Sequence, residues 1–200
     1  MNPTIYLVDD DDAIRDSLSW MLQARGLDCR DWASGEAFLA SYDAGFHGCL
    51  VLDIRMGGMS GLQVFDVLLE RGCTLPVIFL TGHGDIPMAV GAVKRGAYDF
   101  IEKPFNSNTL ADVIEAALKQ ANIQRKEAAS DAEIEARLRH LTPREREVMD
   151  RVLAGKLNKV IADELNLAMR TVEVHRANVF DKMGVRSAVE LSQLLGSKHR

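Results

Sequence analysis

Residues 49–56 read Cys49-Leu50-Val51-Leu52-Asp53-Ile54-Arg55-Met56, four apolar side chains running unbroken into a carboxylate. So short an apolar run reads as a strand buried on both faces, the kind found in parallel sheets. Asp53 then emerges at its C-terminal edge. Four more segments share the pattern: Thr4-Val8 running into Asp9-Asp10, Asp28-Trp32, Pro76-Thr81 and Tyr98-Lys103. Helical periods fill the gaps at Ala13-Arg25, Gly35-Tyr42, Ser60-Arg71, Pro87-Arg95 and Ser107-Ala121. Ser34 and either Asn106 or Ser107 read as N-caps, and Gly26, Gly72 and Gly96 stand just past helix ends. Strand and helix in strict alternation predict an α/β fold with a five-stranded parallel doubly wound sheet.

In such a sheet the C-terminal strand ends converge at one edge, which predicts that Asp9, Asp10, Asp53, Thr81 and Lys103 meet. Three carboxylates that repel one another call for a divalent cation, and Mg2+ with oxygen ligands from Asp9, Asp10 and Asp53 fits the donor set. A hydroxyl and a lysine nearby suit the oxygens of a phosphoryl group. Asp53, held on a strand with its side chain free, is the candidate nucleophile, so the pattern predicts a phosphorylatable aspartate. Pro104 follows Lys103, and a cis bond there would fix the lysine's direction. Singly, these residues read as a helix cap, a turn hydroxyl and a surface charge. Their joint placement at four strand ends is what argues for chemistry.

The composition leaves room for a second domain. The chain has 200 residues, 47% of them apolar, enough for two small globular domains. Its apolar runs fall far short of the ~20 residues of a membrane span, and no signal-like segment precedes Thr4. The three cysteines, Cys29, Cys49 and Cys73, lack metal-type spacing, so buried inert thiols in a reducing cytoplasm are expected. The net charge of −5 is uneven: residues 1–120 carry 9 Lys and Arg against 17 Asp and Glu, and residues 121–200 carry 15 against 12. A polyanionic partner is therefore expected on the second part.

Residues 122–140 are rich in helix formers, lack Gly and Pro, and read as a helical linker whose Ile134 and Leu138, with Leu141, form a weak apolar stripe that packs within the chain. From Leu141 the strand pattern stops. Capping boxes at Thr142-Pro143-Arg144-Glu145 and Ser187-Ala188-Val189-Glu190 punctuate four predicted helices, 143–154, 158–165, 169–183 and 187–195. The second and third read as helix, tight turn, helix. Val172, Val179 and Met183 share a face that joins Ile161, Leu165 and Leu167 in a core, while Arg170, Glu173, Val174, Ala177 and Asp181 share the other. A mixed polar and small face is what a major-groove helix needs.

These motifs resemble two families. Val8-Asp9-Asp10, Leu52-Asp53-Ile54-Arg55-Met56, Thr81-Gly82-His83-Gly84-Asp85 and Phe100-Ile101-Glu102-Lys103-Pro104-Phe105 make residues 1–121 similar to a response-regulator receiver domain. The resemblance implies that Asp53 accepts phosphate from a sensor histidine kinase, that the backbone carbonyl of Arg55 completes the Mg2+ site, and that Phe100 is an aromatic switch coupled to Thr81 and Lys103. Residues 141–200 resemble a LuxR-type helix-turn-helix domain of the FixJ-like branch through Leu141-Thr142-Pro143-Arg144-Glu145 and Thr171-Val172-Glu173-Val174-His175-Arg176-Ala177-Asn178. That resemblance implies DNA phosphate contacts from Lys159, Arg170, Arg176 and Lys182, base reading by Glu173, Val174 and Ala177, and Thr171 in the same DNA-binding set. His175 is expected to be a partly buried packing or phosphate-contacting side chain rather than a metal ligand.

Two departures carry expectations. Gly57-Gly58 stands where the family usually has proline after Met56, which predicts a looser loop beside Asp53. Ala168-Met169 stands where relatives commonly have a serine opening the recognition helix, which predicts an uncapped helix start. The resulting expectation is a transcriptional response regulator, not an enzyme, that phosphorylation drives to a homodimer on promoter DNA, with RNA polymerase as a further partner and no membrane. A phosphorylation-independent regulator or adaptor is the alternative. A phosphohydrolase of the haloacid-dehalogenase type would need Asp9 and Asp11 as an Asp-x-Asp pair, and the chain lacks a cap segment for it.

Overall fold

The computed structural model describes residues 3–82 and 85–196, without the side chain of Ile86. His83 and Gly84 of the Thr81–Asp85 motif, and residues 197–200 of the second domain, lie outside the described residues. Two compact units divide between Gln124 and Arg125.

In the first unit five strands alternate with helices: β1 (Thr4–Val8), α1 (Asp12–Ala24), β2 (Asp28–Trp32), α2 (Gly35–Ser41), β3 (Gly48–Asp53), α3 (Gly61–Glu70), β4 (Val77–Thr81), α4 (Ile86–Lys94), β5 (Asp99–Glu102) and α5 (Ser107–Arg139). The strands pair in parallel in the order β2-β1-β3-β4-β5. Because side chains alternate along a strand, each central strand feeds two cores. Tyr6, Val8, Leu50, Leu52, Val77 and Phe79 pack with Phe38, Val64, Phe65, Leu68, Ala89 and Ala92 of α2, α3 and α4. Ile5, Leu7, Cys49, Val51, Ile78 and Leu80 pack with Leu18, Leu22, Leu110 and Ile114 of α1 and α5. The strand order reverses between β1 and β3, and in doubly wound sheets sites form at that reversal.

Helix starts follow the sequence signals. Ser34 accepts from the Ala37 N–H at 3.2 Å, and Asn106 rather than Ser107 caps α5, its side chain accepting from the Asn108 N–H at 2.8 Å. Gly26, Gly72 and Gly96 take positive φ just past α1, α3 and α4. The expected helix to Ala121 and the expected helical linker are one element: α5 runs on without a break to Arg139, since the stretch contains neither Gly nor Pro to stop it. The thiols also need correction, because only Cys49 is buried while Cys29 and Cys73 are half-buried. Burial pushes the Cys49 thiol pKa well up, which leaves it inert.

The second unit holds the rest of α5 and four helices: α6 (Pro143–Leu153), α7 (Asn158–Leu165), α8 (Met169–Met183) and α9 (Ala188–Gly196). Leu141, Val148, Val152, Ile161, Leu165, Val172, Val179, Met183 and Leu191 form its core, with Leu138 and Leu167 packed against them. Thr142 and Glu145 close the expected capping box. The second box is half made: the Ser187 hydroxyl accepts from the Glu190 N–H, but Glu190 reaches back to the Arg186 N–H. No helix among the described residues is long and apolar enough to cross a membrane.

Candidate functional site

β1 and β3 lie side by side with Val8 opposite Leu52, so the residues following one and ending the other face a common edge. There Asp9 and Asp53 are buried and Asp10 is exposed. Carboxylate oxygens of the three all lie within 4.8 Å of one another, close enough to share one cation. Lys103, in the turn after β5, places Nζ 2.7 Å from both Asp9 Oδ2 and Asp53 Oδ1. Burial raises the Asp53 pKa, the Lys103 ammonium pulls it back, and Asp9 and Asp10 push it up again; the net shift is upward. Burial pulls Lys103 down, but its bonds to Asp53 and Asp9 outweigh that and hold its pKa above the ordinary lysine value. The Lys103–Pro104 peptide is cis.

Thr81 ends β4 with no exposed surface, and its Oγ1 is buried without a hydrogen-bond partner among the described residues. A hydroxyl left unpaired in a protein interior costs about 1–3 kcal/mol, so Thr81 Oγ1 stands ready for a partner at this edge. Phe100, on β5 opposite Phe79, is half-buried against the core that α2, α3 and α4 share. Asp11 is not part of the acidic cluster: its carboxylate caps α1, accepting from the Ala13 N–H at 2.9 Å. The Asp-x-Asp arrangement of a phosphohydrolase is therefore not formed.

Two backbone hydrogen bonds bear on the loop after Asp53, where greater looseness was expected. Gly57 donates its N–H to Asp10 Oδ2 at 2.7 Å, and Met59 donates its own to Glu36 Oε1 at 2.7 Å. A proline at position 57 has no N–H and could not make the first bond. The Arg55 side chain was also not anticipated: it reaches across to Asp85, which is fully buried at the start of α4. Asp85 stands in the quoted motif just ahead of Ile86-Pro87, and at the N-cap position of α4 it makes no side-chain cap bond, its carboxylate being taken by Arg55. Gly61, opening α3, lies so close to Asp53 that a Cβ there would stand 2.1 Å from the Asp53 carbonyl oxygen.

In the second unit a three-residue turn joins α7 to α8, with Asn166 at φ 52° and the Leu167 N–H bonded to the Ala162 carbonyl at 2.9 Å. Two helices joined by such a turn form the helix-turn-helix unit. Ala168 gives α8 no side-chain cap, as expected. Arg170, Val174, Ala177, Asn178 and Asp181 are exposed on α8, with Thr171 and Glu173 half-exposed. The predicted phosphate-contacting cations already have partners, Lys159 excepted among the described residues. Arg170 pairs with Glu173 at 3.2 Å, Arg176 donates to Asn158 Oδ1 at 2.9 Å and lies over the Phe180 ring, and Lys182 holds buried Glu145 at 2.7 Å. His175 is half-buried, and no group of metal-ligating side chains other than Asp9, Asp10 and Asp53 forms among the described residues.

Comparison with known proteins agrees with this geometry. The family described as response regulator receiver domain matches residues 5–115, and that described as bacterial regulatory proteins, luxR family, matches residues 139–195. The chain is 46% identical over 196 residues to the C4-dicarboxylate transport transcriptional regulatory protein DctR of Rhodobacter capsulatus, covering 97% of this chain and 100% of that protein. It is 43% identical over 190 residues to the transcriptional regulatory protein FixJ of Bradyrhizobium diazoefficiens, covering 95% and 93%. Among solved structures, the response regulator StyR aligns with a TM-score of 0.92 at 39% identity, covering 98% of this chain and 99% of that one. Full-length FixJ from B. japonicum aligns with a TM-score of 0.63 at 41% identity, covering 98% and 97%.

Proposed function

We propose how this chain, which belongs to the transcriptional response regulators that join a receiver domain to a LuxR-type DNA-binding domain, is switched. Asp53 takes a phosphoryl group from the phosphohistidine of a partner sensor kinase in the cytoplasm; the P–N bond breaks as a P–O bond to the Asp53 carboxylate forms. The observation that carries this reading is Lys103 Nζ at 2.7 Å from both Asp53 and Asp9 beside a buried Thr81 hydroxyl with no partner. Asp9, Asp10, Asp53 and the Arg55 carbonyl would hold Mg2+, which when bound neutralises the clustered carboxylates and the charge developing on the phosphoryl oxygens.

The remaining steps belong to the chain's own residues. Lys103 follows the new charge and donates to a phosphoryl oxygen, and Thr81 Oγ1 donates to another, ending its unpaired state. Phe100 turns inward behind Thr81, and α4, β5 and the start of α5 repack. Val90 and Val93, three residues apart on α4 and both exposed, supply an apolar patch for the homodimer. Two copies of α8 then meet the two halves of an inverted-repeat promoter site, with Lys159, Arg170, Thr171, Glu173, Val174, Arg176, Ala177 and Lys182 as the DNA-binding set, and the complex recruits RNA polymerase.

Sedimentation of the wild type and Asp53→Asn with Mg2+ and acetyl phosphate tests the switch. A donor-dependent dimer in the wild type alone is expected. If intact mass shows one added phosphate and the wild type stays monomeric, the switch is wrong and the receiver serves as a phosphorylation-independent docking module.

A further inference from the structure

The exposed face of α8 carries an unusual balance of uncommitted groups. Val174, 49% exposed, stands one helical turn before Ala177 and Asn178, both exposed, so the three line one stretch of surface. The Asn178 amide makes no hydrogen bond among the described residues. The basic neighbours are engaged, Arg170 with Glu173 at 3.2 Å, Arg176 with Asn158 at 2.9 Å and Lys182 with Glu145 at 2.7 Å, and Asp181 is exposed. Between exposed Arg170, whose guanidinium is paired with Glu173, and exposed Asp181, this stretch therefore offers a partner two small aliphatic side chains and one amide.

The major groove distinguishes base pairs by chemistry that matches such a surface. Thymine alone presents a methyl group, which aliphatic side chains contact, and adenine presents an N6 donor beside an N7 acceptor, which a carboxamide matches in two bonds. Guanine is most often read by a guanidinium or ammonium on its O6 and N7. We propose that α8 reads A·T pairs, with Val174 and Ala177 packing against thymine C5-methyl groups and the Asn178 amide pairing with the N6 and N7 edge of adenine. The assignment rests on the reading of α8 as the helix that enters the major groove. It names the base chemistry of the promoter half-site and adds Asn178 to the residues that read it.

The test uses the full chain, Mg2+ and acetyl phosphate with a random-sequence duplex pool, followed by equilibrium binding to the enriched duplex. Copies of that duplex then carry deoxyuridine in place of thymine one position at a time, which deletes only the C5-methyl. At least one substitution per half-site is expected to weaken binding about fivefold or more. Val174→Ser should lose a similar factor and become indifferent to deoxyuridine there, and Asn178→Ala should relax the preference at an adjacent A·T pair. Both side chains are exposed, so circular dichroism should match the wild type. Deoxyuridine tolerated at every position, half-sites without A·T pairs, or an Asn178→Ala chain with unaltered preference would each overturn the assignment. A chain that enriches no sequence overturns the major-groove reading as well.

Discussion

Arg55 and Asp85 are joined by a three-contact ion pair: Nε lies 2.8 Å from both carboxylate oxygens and Nη2 lies 2.7 Å from Oδ1. The pair ties the loop that follows Asp53, the last residue of β3, to the start of α4. The Arg55 hydrogen bonds hold the Asp85 carboxyl below the usual carboxylate range, against the opposing pull of burial.

Arg55→Ala leaves that buried carboxylate without its counter-charge and with only a backbone hydrogen bond from Gly82, so a lower Tm is expected at neutral pH, with Arg55→Lys in between. A depressed pKa means the pair stabilises the fold above the ordinary aspartate range and loses its effect as pH falls through the native value. The gap between Arg55→Ala and wild type should therefore narrow in acid. Calorimetric scans at several pH values check this, and coincident melts at neutral pH would show that the pair contributes nothing.

Thr81→Val should separate stability from switching. The substitution removes a buried hydroxyl without a partner and keeps the shape, so Tm is expected to stay or rise, by up to about 1 kcal/mol of stability. Acetyl phosphate should still modify Asp53, by intact mass, yet drive less dimer. A full dimer response would show that Thr81 is not needed to read the phosphoryl group.

Gly61→Ala tests how the acceptor is positioned. The new Cβ would meet the Asp53 carbonyl at 2.1 Å and its carbon at 3.0 Å, both backbone atoms that must move. Overpacking of this kind costs about 1–3 kcal/mol, and slower phosphorylation from acetyl phosphate should accompany it. Gly57→Ala is the control, since its Cβ stands 3.5 Å from Asp10 Oδ2, an ordinary contact. Equal melts for both variants would remove the steric argument.

Glu145 gives the second unit an acid-sensitive joint. Burial pushes its pKa up, but hydrogen bonds from Lys182 and from Thr142 prevail and bring it down to about 2. A depressed carboxylate stabilises above its unfolded value, near 4.5, and that contribution disappears as pH falls toward about 2. Lys182→Met should cost about 1–2 kcal/mol near neutrality and flatten the acid limb. It should also weaken DNA binding less than Lys159→Ala does, because the Lys182 ammonium is shared with Glu145. Chemical denaturation from pH 6 to pH 2 and a salt series of binding curves decide the two points.

The acidic cluster was legible because its members are local signals at strand ends: Asp9, Asp53, Thr81 and Lys103 each terminate an apolar run, and parallel topology brings such ends together. Lys103 illustrates the limit. Its place at the edge followed from the pattern, but its equal reach to Asp9 and Asp53 did not. Arg55 with Asp85, Glu36 with Met59 and Lys182 with Glu145 join residues far apart in sequence, and single charges carry no mark of their partners. The helical linker was legible from its helix formers, but not that it would be continuous with the preceding helix: the apolar periodicity fades after Ala121, while helix propensity carries the backbone on to Arg139 without a break.

Gly57 changes meaning in this light. A pyrrolidine ring stiffens a loop whatever surrounds it, through covalent geometry that ions do not alter. Here the stiffness comes from an N–H held by the Asp10 carboxylate at 2.7 Å, and that grip is only as firm as the negative charge Asp10 has to give. The loop after Asp53 is thus tethered to the same electrostatic account as the acidic cluster it borders, so that counter-ions and ionic strength act on this bond by a route closed to a prolyl loop.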